Sequence, residues 1–375
     1  MASNESILSR TTNVLWNFPN ETSALRSLIT YEQYIMIMEL SANFGTVFAG
    51  VGVIANLINI KTFIAMGLTD GVIMSFFALA LFDLAYLISA LCLGIAVIFY
   101  IKELKFSIHF PIEPYGIFMF FGTCMIFISV ANVLTTTFLA VARCMCVSRP
   151  LQFKHMFTRQ RAVTIMIIFA IFSVVIYLPI LVNMGMVQKF DRKFNLSRPS
   201  LWISPQRKFI KEIVWMIIDM IFPILTQVII FVCVVIMINS LQAASKFRQS
   251  SASVSRKLFN KDETCKNDYS KDSGNMAEKL TRKDLMVIQQ VVLISVAYII
   301  CNTPKIIIGF GTVTVPAFSL EGAYSKLYMS SNGLRKHFEE FNAAINLLIY
   351  YKYNTKFRST MRLTCPFMGP TSVED

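Results

Sequence analysis

The segment that decides the fold is GVIMSFFALALFDLAYLISALCLGIAVIFY, which runs from residue 71 to residue 100. It contains a single charged side chain, Asp83. A helix of about 20 apolar residues is long enough to cross the hydrocarbon core of a bilayer. The segment therefore predicts a membrane-spanning helix with one carboxylate inside it.

Comparable segments recur along the chain and predict an all-α membrane protein with a seven-transmembrane helix bundle. The predicted spans are 36–66, 71–100, 114–146, 162–185, 211–241, 284–312 and 326–351. Six are strongly apolar, whereas the seventh carries the charged stretch 334–340. A hydropathy window alone would miss this seventh span. We retain it because residues 341–351 are apolar apart from Asn342 and Asn346.

Three regions follow from these spans. Residues 1–35 are predicted to be an extracellular N-terminus, and 36–352 a seven-transmembrane domain. The polar stretch 242–283 within it is predicted to be a flexible cytoplasmic loop. Residues 353–375 are predicted to be a cytoplasmic tail that begins with a short amphipathic eighth helix.

Composition excludes several other classes. Of the 375 residues, 55% are hydrophobic and 15% charged, whereas soluble domains average about 25% charged residues. The net charge of +13 does not indicate nucleic-acid binding, because the basic residues lie between apolar runs, beside the bilayer. No cysteine has metal-ligand spacing, and no nucleophile–base pair or phosphate loop predicts an enzyme.

Loop charges and sequons predict the orientation. Most basic loops fall on the cytoplasmic side if the N-terminus is extracellular and the C-terminus cytoplasmic. The basic segment 189–211 is an exception, because this topology places it outside. N-glycosylation sequons at Asn4, Asn20 and Asn195 agree with the same orientation. We therefore expect a multi-pass glycoprotein of the plasma membrane.

Short motifs occur in order along the predicted helices. The second contains Leu79-Ala80-Leu81-Phe82-Asp83-Leu84, the sixth contains Cys301-Asn302-Thr303-Pro304, and the seventh contains Asn346-Leu347-Leu348-Ile349-Tyr350. Four further markers lie in or after the other helices. They are Asn56 in the first helix, Arg143-Cys144 closing the third with Pro150 seven residues on, Pro223 in the fifth, and Phe357-Arg358 after the seventh. Any one of these motifs alone is weak evidence for a family. All of them in the same order and with compatible spacing are unlikely to occur by chance.

With these motifs the chain resembles the rhodopsin-like (class A) G-protein-coupled receptors. The resemblance implies a ligand site in the outer half of the bundle and a heterotrimeric G protein as the inner partner. Within that family, residues 67–71 (GLTDG) and 350–352 (YYK) are similar to expanded invertebrate chemosensory receptors, molluscan ones in particular. We therefore expect a chemosensory receptor.

The resemblance also implies a polar switch around Asp83. Charges at bilayer depth are costly and usually functional. Asn132 on the third helix could surround this carboxylate, together with Asn342, Asn346 and Tyr350, which recur at four-residue steps on one helix face. Two interpretations stay open: a network that holds a sodium ion and rearranges on activation, and a static hydrogen-bond network. We expect no other cofactor.

An ionic lock is implied at the inner face. Arg143 closes the third helix and Asp284 begins the sixth, where the family can form an ion pair in the inactive state. Ala142 replaces the acidic residue that usually precedes the arginine. The alternative is two solvated charges that contribute under about 1 kcal/mol. Cys365 is a plausible palmitoylation site beside the eighth helix.

Several positions depart from the family pattern. Phe118 stands where the third helix usually carries a disulfide cysteine, and the second outer loop contains no cysteine. That loop must therefore be held in another way or be mobile. Asn302 replaces the sixth-helix tryptophan, and Leu347 replaces the seventh-helix proline.

Four charges in the outer half of the bundle are candidate ligand contacts: Asp219, Lys305, Glu339 and Glu340. They either pair with each other, as intramembrane charges normally do, or bind a polar ligand, for which a zwitterion such as an amino acid would suit both signs. Met125, Ser129 and Trp215 are predicted to line the same space.

Three functions compete at this stage. The first is a chemosensory receptor for a small polar or charged ligand. The second is a neuropeptide receptor of the same fold. The third, from another class, is a seven-span channel or transporter, although the chain has no internal repeat of the kind that many transporters show. Ion current without a G protein would favour the third.

Overall fold

The computed structural model describes residues 28–148, 158–191, 196–259 and 282–364. The three sequons at Asn4, Asn20 and Asn195 and the palmitoylation candidate Cys365 lie outside these ranges. The side chain of Asp284 is also outside the described part of the chain, so the predicted ionic lock stays a prediction.

Seven long helices and a short eighth helix form the described fold, as predicted. The helices are α1 (Tyr31–Met66), α2 (Gly71–Phe106), α3 (Pro114–Ser148), α4 (Arg159–Val182), α5 (in three segments, Arg207–Val214, Trp215–Ile221 and Phe222–Phe259), α6 (Arg282–Thr314), α7 (Ser325–Tyr353) and α8 (Thr355–Thr364). Two strands, β1 (Met184–Asp191) and β2 (Leu196–Ile203), form an antiparallel hairpin between α4 and α5. We call the bundle end that carries this hairpin the hairpin end, and the opposite one the α8 end.

Local sequence sets the helix boundaries. The Thr30 hydroxyl accepts from the Gln33 N–H, and the Gln33 side chain accepts from the Thr30 N–H. This capping box starts α1 at Tyr31, before the predicted residue 36. Gly67 ends the same helix with a φ of +82°, a conformation that favours glycine.

Six of the seven long helices are apolar enough to cross a membrane, and α7 is the exception, as the charged stretch 334–340 predicted. Large apolar side chains cover much of the outward-facing surface: α4 alone exposes Ile167, Ile168, Ile171, Phe172, Val174, Val175, Leu178 and Val182. A contiguous apolar surface of this kind would promote aggregation in water and suits contact with lipid.

The fifth helix differs from a regular α-helix. Residues Trp215–Ile221 form a π-helical turn, in which the N–H of Phe222 donates to the carbonyl of Ile217. Pro223 follows directly and has no N–H for the carbonyl of Asp219, so the regular ladder cannot continue there. The π turn therefore sets the rotation of the helix at Asp219.

The predicted start of the cytoplasmic loop between α5 and α6 is wrong. We predicted a flexible loop from residue 242, but α5 continues to Phe259. Residues 240–248 (SLQAASKFR) contain neither glycine nor proline, so nothing in them ends a helix.

The hairpin is held without a disulfide. The guanidinium of Arg198 on β2 lies 2.5 Å from the Glu103 carboxylate of α2. The Glu113 carboxylate accepts from the N–H of Leu201 at 2.6 Å, and the Glu113 N–H donates to the carbonyl of Pro199 at 3.1 Å. These contacts join the hairpin to α2 and to the start of α3, so the loop is held by ionic and backbone contacts.

A glycine allows the hairpin to approach α3 closely. A Cβ atom at Gly116 would lie 2.4 Å from the sulfur of Met186 on β1, which is closer than side-chain contacts allow. Gly116 is two residues before Phe118, the position where the family usually has its cysteine. The hairpin therefore packs against α3 close to the position of the usual cysteine.

An aromatic cluster lies in the core at the α8 end. Phe63 stacks on Phe76 and meets Tyr350 and Phe357 with ring centroids 5.1 Å apart in both cases. All four rings are buried. They join α1, α2, α7 and α8 in one aromatic cluster, which fixes α8 against the bundle.

Candidate ligand cavity

Two adjacent chambers lie at the hairpin end of the bundle. The large chamber has a volume of about 280 Å³ and lies among α1, α2, α3 and α7; the small chamber has about 170 Å³ and lies among α3, α4, α5, α6 and α7. Both are lined by Thr123, Ile126, Arg207, Lys211, Lys305, Asn332 and Arg335. These shared residues form the wall between them. Together the chambers have the size of a small-molecule site.

An ion pair crosses the floor of the small chamber. The Lys305 ammonium of α6 lies 2.9 Å from the Asp219 carboxylate of α5, and Lys305 is only 7% exposed. Asp219 is placed there by the π turn, and Lys305 directly follows Pro304. The structure thus pairs two of the four predicted ligand contacts with each other while both still line the chamber.

Glu339 points into the bundle. Its carboxylate accepts from the hydroxyl of Tyr86 at 2.7 Å and lies 3.1 Å from the guanidinium of Arg335, one turn earlier on α7. Glu339 lines the large chamber. The positive charge of Arg335 partly neutralises the Glu339 carboxylate. A ligand would therefore meet a carboxylate that already has a cationic partner.

Glu340 lies elsewhere. It is 0% exposed, faces α1, and contacts Lys336 at 3.3 Å and His337 at 2.9 Å. The His337 ring is also within 2.7 Å of the Ser41 hydroxyl of α1. Glu340 lines none of the described chambers, so the geometry separates it from the other predicted ligand contacts.

The remaining predicted contacts line the chambers. Met125 lines the large one, Trp215 the small one, and Ser129 lines both the large chamber and a third one described below. Ser129 donates to the carbonyl of Ile126 at 2.7 Å, which leaves its oxygen able to accept.

Two cations in the shared wall were not predicted as individual contacts. Arg207 and Lys211 lie at the start of α5, and the sequence indicated only that their segment is basic. Arg207 is 6% exposed, and burial lowers the pKa of its guanidinium below the ordinary value. It remains protonated at neutral pH, because the ordinary value is so high.

A third, polar chamber of about 40 Å³ lies deeper in the bundle. Asp83, Asn132 and Asn342 line it, and Lys305 and Glu339 form its boundary with the chambers above. The Asn346 amide donates to the Asp83 carboxylate at 2.8 Å. Tyr350 lies one turn further toward the α8 end, inside the aromatic cluster, and its hydroxyl has no partner among the described residues.

The profile of the family described as "7 transmembrane receptor (rhodopsin family)" matches residues 73–350. The chain belongs to the rhodopsin family of seven-transmembrane receptors. None of the curated proteins compared with it matches. Receptors of this family bind ligands within the membrane and couple to G proteins.

Polar side chains join α5 and α6 at the position of the missing tryptophan. Asn302, which replaces the usual tryptophan, donates to the Gln227 side-chain oxygen at 3.0 Å, and the Gln227 amide contacts the Thr303 hydroxyl at 3.3 Å. The sequence located Asn302 but gave no partner for it. Gln227 lies one turn after Pro223 on α5. Helical spacing could therefore have predicted Gln227 as a partner for Asn302, but our prediction from the sequence did not include it.

Proposed function

We propose that this receptor is chemosensory, binds a small charged ligand in the two chambers at the hairpin end, and activates a heterotrimeric G protein at the α8 end. The proposal is supported by the charged lining of the chambers and by their size, which suits a small molecule. The hairpin end would face outward, with the N-terminus extracellular, the C-terminus cytoplasmic, and the receptor in the plasma membrane.

The position of Lys305 is the observation that carries this proposal. Its side chain lines the large, the small and the polar chamber, and its ammonium binds Asp219 on the neighbouring helix. A ligand that competes for either charge would alter the contact between α5 and α6. In this fold, the movement of such helices is the means by which a ligand would change the inner surface.

We propose that the polar chamber holds a sodium ion. Asp83 supplies a buried carboxylate, and the side-chain oxygen of Asn132 is buried and has no hydrogen-bond partner among the described residues. Oxygen ligands of this kind suit hard cations. Asp83 and Asn132 would hold the ion, which would favour one arrangement of α2, α3 and α7.

A cell-based reporter assay with promiscuous G proteins tests the proposal. Cells expressing the receptor would be exposed to amino acids, small organic acids, amines and neuropeptide pools. We expect a response to small molecules that Lys305→Met abolishes at equal surface expression. Lys326→Met is the matched control, because Lys326 rests on the Tyr31 ring and lines neither chamber.

Two other results would redirect the proposal. A response to peptides alone, unaffected by Lys305→Met, would indicate a neuropeptide receptor in which these charges are structural. Ion current in cells without G proteins would indicate a channel or transporter.

A further inference from the structure

Some of the cations that line the two chambers form no ion pair with a described carboxylate. Five line the chambers, and three of them form ion pairs: Lys305 with Asp219, Arg335 with Glu339, and Lys336 with Glu340. Arg207 and Lys211 are the other two. Among the residues that the structure describes, no carboxylate forms an ion pair with either of them.

Arg207 is the more unusual of the two. Its side chain is buried, its Nε atom has no hydrogen-bond partner among the described residues, and its Nη2 atom is 3.6 Å from the sulfur of Met184. A thioether is a weak acceptor. Buried charges are normally paired, because an unpaired one loses its hydration without compensation. The guanidinium is therefore poised for an acceptor that the described residues do not supply.

Lys211 is one helical turn after Arg207, and both line the wall shared by the chambers. Asp219, Glu212 and Glu321 act on Lys211 electrostatically without forming an ion pair with it. The two cations thus produce a local positive field in a partly closed site, where a low dielectric strengthens it.

Beside these charges, the large chamber is mainly apolar. Its lining includes Leu93, Val97, Phe118, Met125 and Met329. A ligand that filled it would need an apolar part of a few carbon atoms, with its charged group toward α5.

We propose that Arg207 and Lys211 form an oxyanion-binding subsite for the carboxylate of a small organic acid, whose apolar part occupies the large chamber. This rests on the proposed function and narrows its ligand class. A guanidinium binds a carboxylate through two parallel hydrogen bonds. Among the described residues, the carboxylates that line the two chambers are Asp219 and Glu339, and both are already paired. A ligand ammonium would have to compete for them, so an acid fits better than an amino acid.

The test uses the full-length receptor, purified and reconstituted in lipid nanodiscs. The probes are hexanoate and benzoate, with hexanamide and benzamide as uncharged counterparts of the same shape. The readout is the melting temperature with and without each probe. We expect both acids to raise it, the amides to leave it unchanged, and Arg207→Gln to weaken acid binding by about tenfold or more.

Two further readings separate a ligand contact from a structural role. In the absence of any probe, Arg207→Gln should not lower the melting temperature, because no ion pair is lost; a structural arginine would lower it. Lys102→Gln is the matched control. It removes a charge at the exposed part of α2, where Lys102 contacts the Phe99 ring, and acid binding should be retained.

The inference is overturned if neither acid stabilises the wild-type receptor, if the amides stabilise it equally, or if Arg207→Gln retains acid binding. It is also overturned if Lys102→Gln weakens binding as much as Arg207→Gln, since that would indicate a general field. A wild-type response to other small molecules that Lys305→Met abolishes would keep the proposed function while excluding this subsite.

Discussion

The two ends of the bundle are built from different interactions. At the α8 end, Phe63, Phe76, Tyr350 and Phe357 pack into an aromatic cluster. At the hairpin end, ion pairs and chambers take the place of tight packing, and the hairpin itself is held by Arg198 and Glu113. Apolar packing stabilises the fold but is not directional. Charges around a cavity can recognise a specific ligand, but burying them costs stability. The division associates folding stability mainly with the α8 end, and under the proposed function it associates ligand recognition with the hairpin end.

The largest expected effect lies at the α8 end. Phe357→Ala removes a fully buried ring that contacts Phe63 and Tyr350 and should destabilise the receptor by about 3 kcal/mol. The melting temperature of the purified receptor measures this. Leu363→Ala, at a side chain that is 85% exposed on the same helix, should change it little. Equal effects of the two changes would contradict the packing account.

An intermediate effect is expected at the hairpin. Arg198→Met leaves the largely buried Glu103 carboxylate without its guanidinium and should cost about 2 kcal/mol. We expect faster hydrogen exchange of amides in β1 and β2, with exchange in the aromatic cluster unchanged. The double variant Arg198→Met/Glu103→Gln should recover part of the loss, as coupled pairs do. Unchanged hairpin exchange in Arg198→Met would show that the ion pair does not hold the loop.

The smallest effect is expected at the exposed pair between Lys105 and Glu39. Both side chains are more than a third exposed, and such pairs contribute under about 1 kcal/mol. Lys105→Gln should therefore leave both the melting temperature and the hairpin exchange nearly unchanged. A loss as large as that of Arg198→Met would mean that burial does not separate the two ion pairs.

The sequence predicted the bundle, because the apolar spans and the order of the motifs can be read directly from it. Of the predicted polar network, the structure forms the hydrogen bond between Asn346 and Asp83. The sequence could not separate Glu339 from Glu340. Consecutive residues point about 100° apart on a helix, and only the rotation of α7 against its neighbours decides which one faces the chamber. The π turn before Pro223 likewise changes the direction in which the Asp219 side chain points. The regular spacing of 3.6 residues per turn does not predict this change.

Arg207 shows a second limit. In the sequence it is one of several basic residues in a segment that looks solvated. It becomes distinctive only when the hairpin covers the start of α5 and buries the guanidinium without an ion pair to any described carboxylate. Burial of this kind depends on contacts between residues far apart in the chain, here between Arg207 and Met184.

The most direct test of the central claim measures guanine-nucleotide exchange on a purified heterotrimeric G protein by the receptor in nanodiscs. Its reference is the small molecule that gives the strongest cell response. We predict that this molecule accelerates exchange by the wild-type receptor and by Lys326→Met, and that Lys305→Met loses the acceleration while remaining folded. Acceleration that persists in Lys305→Met, or none in the wild type, would contradict the account.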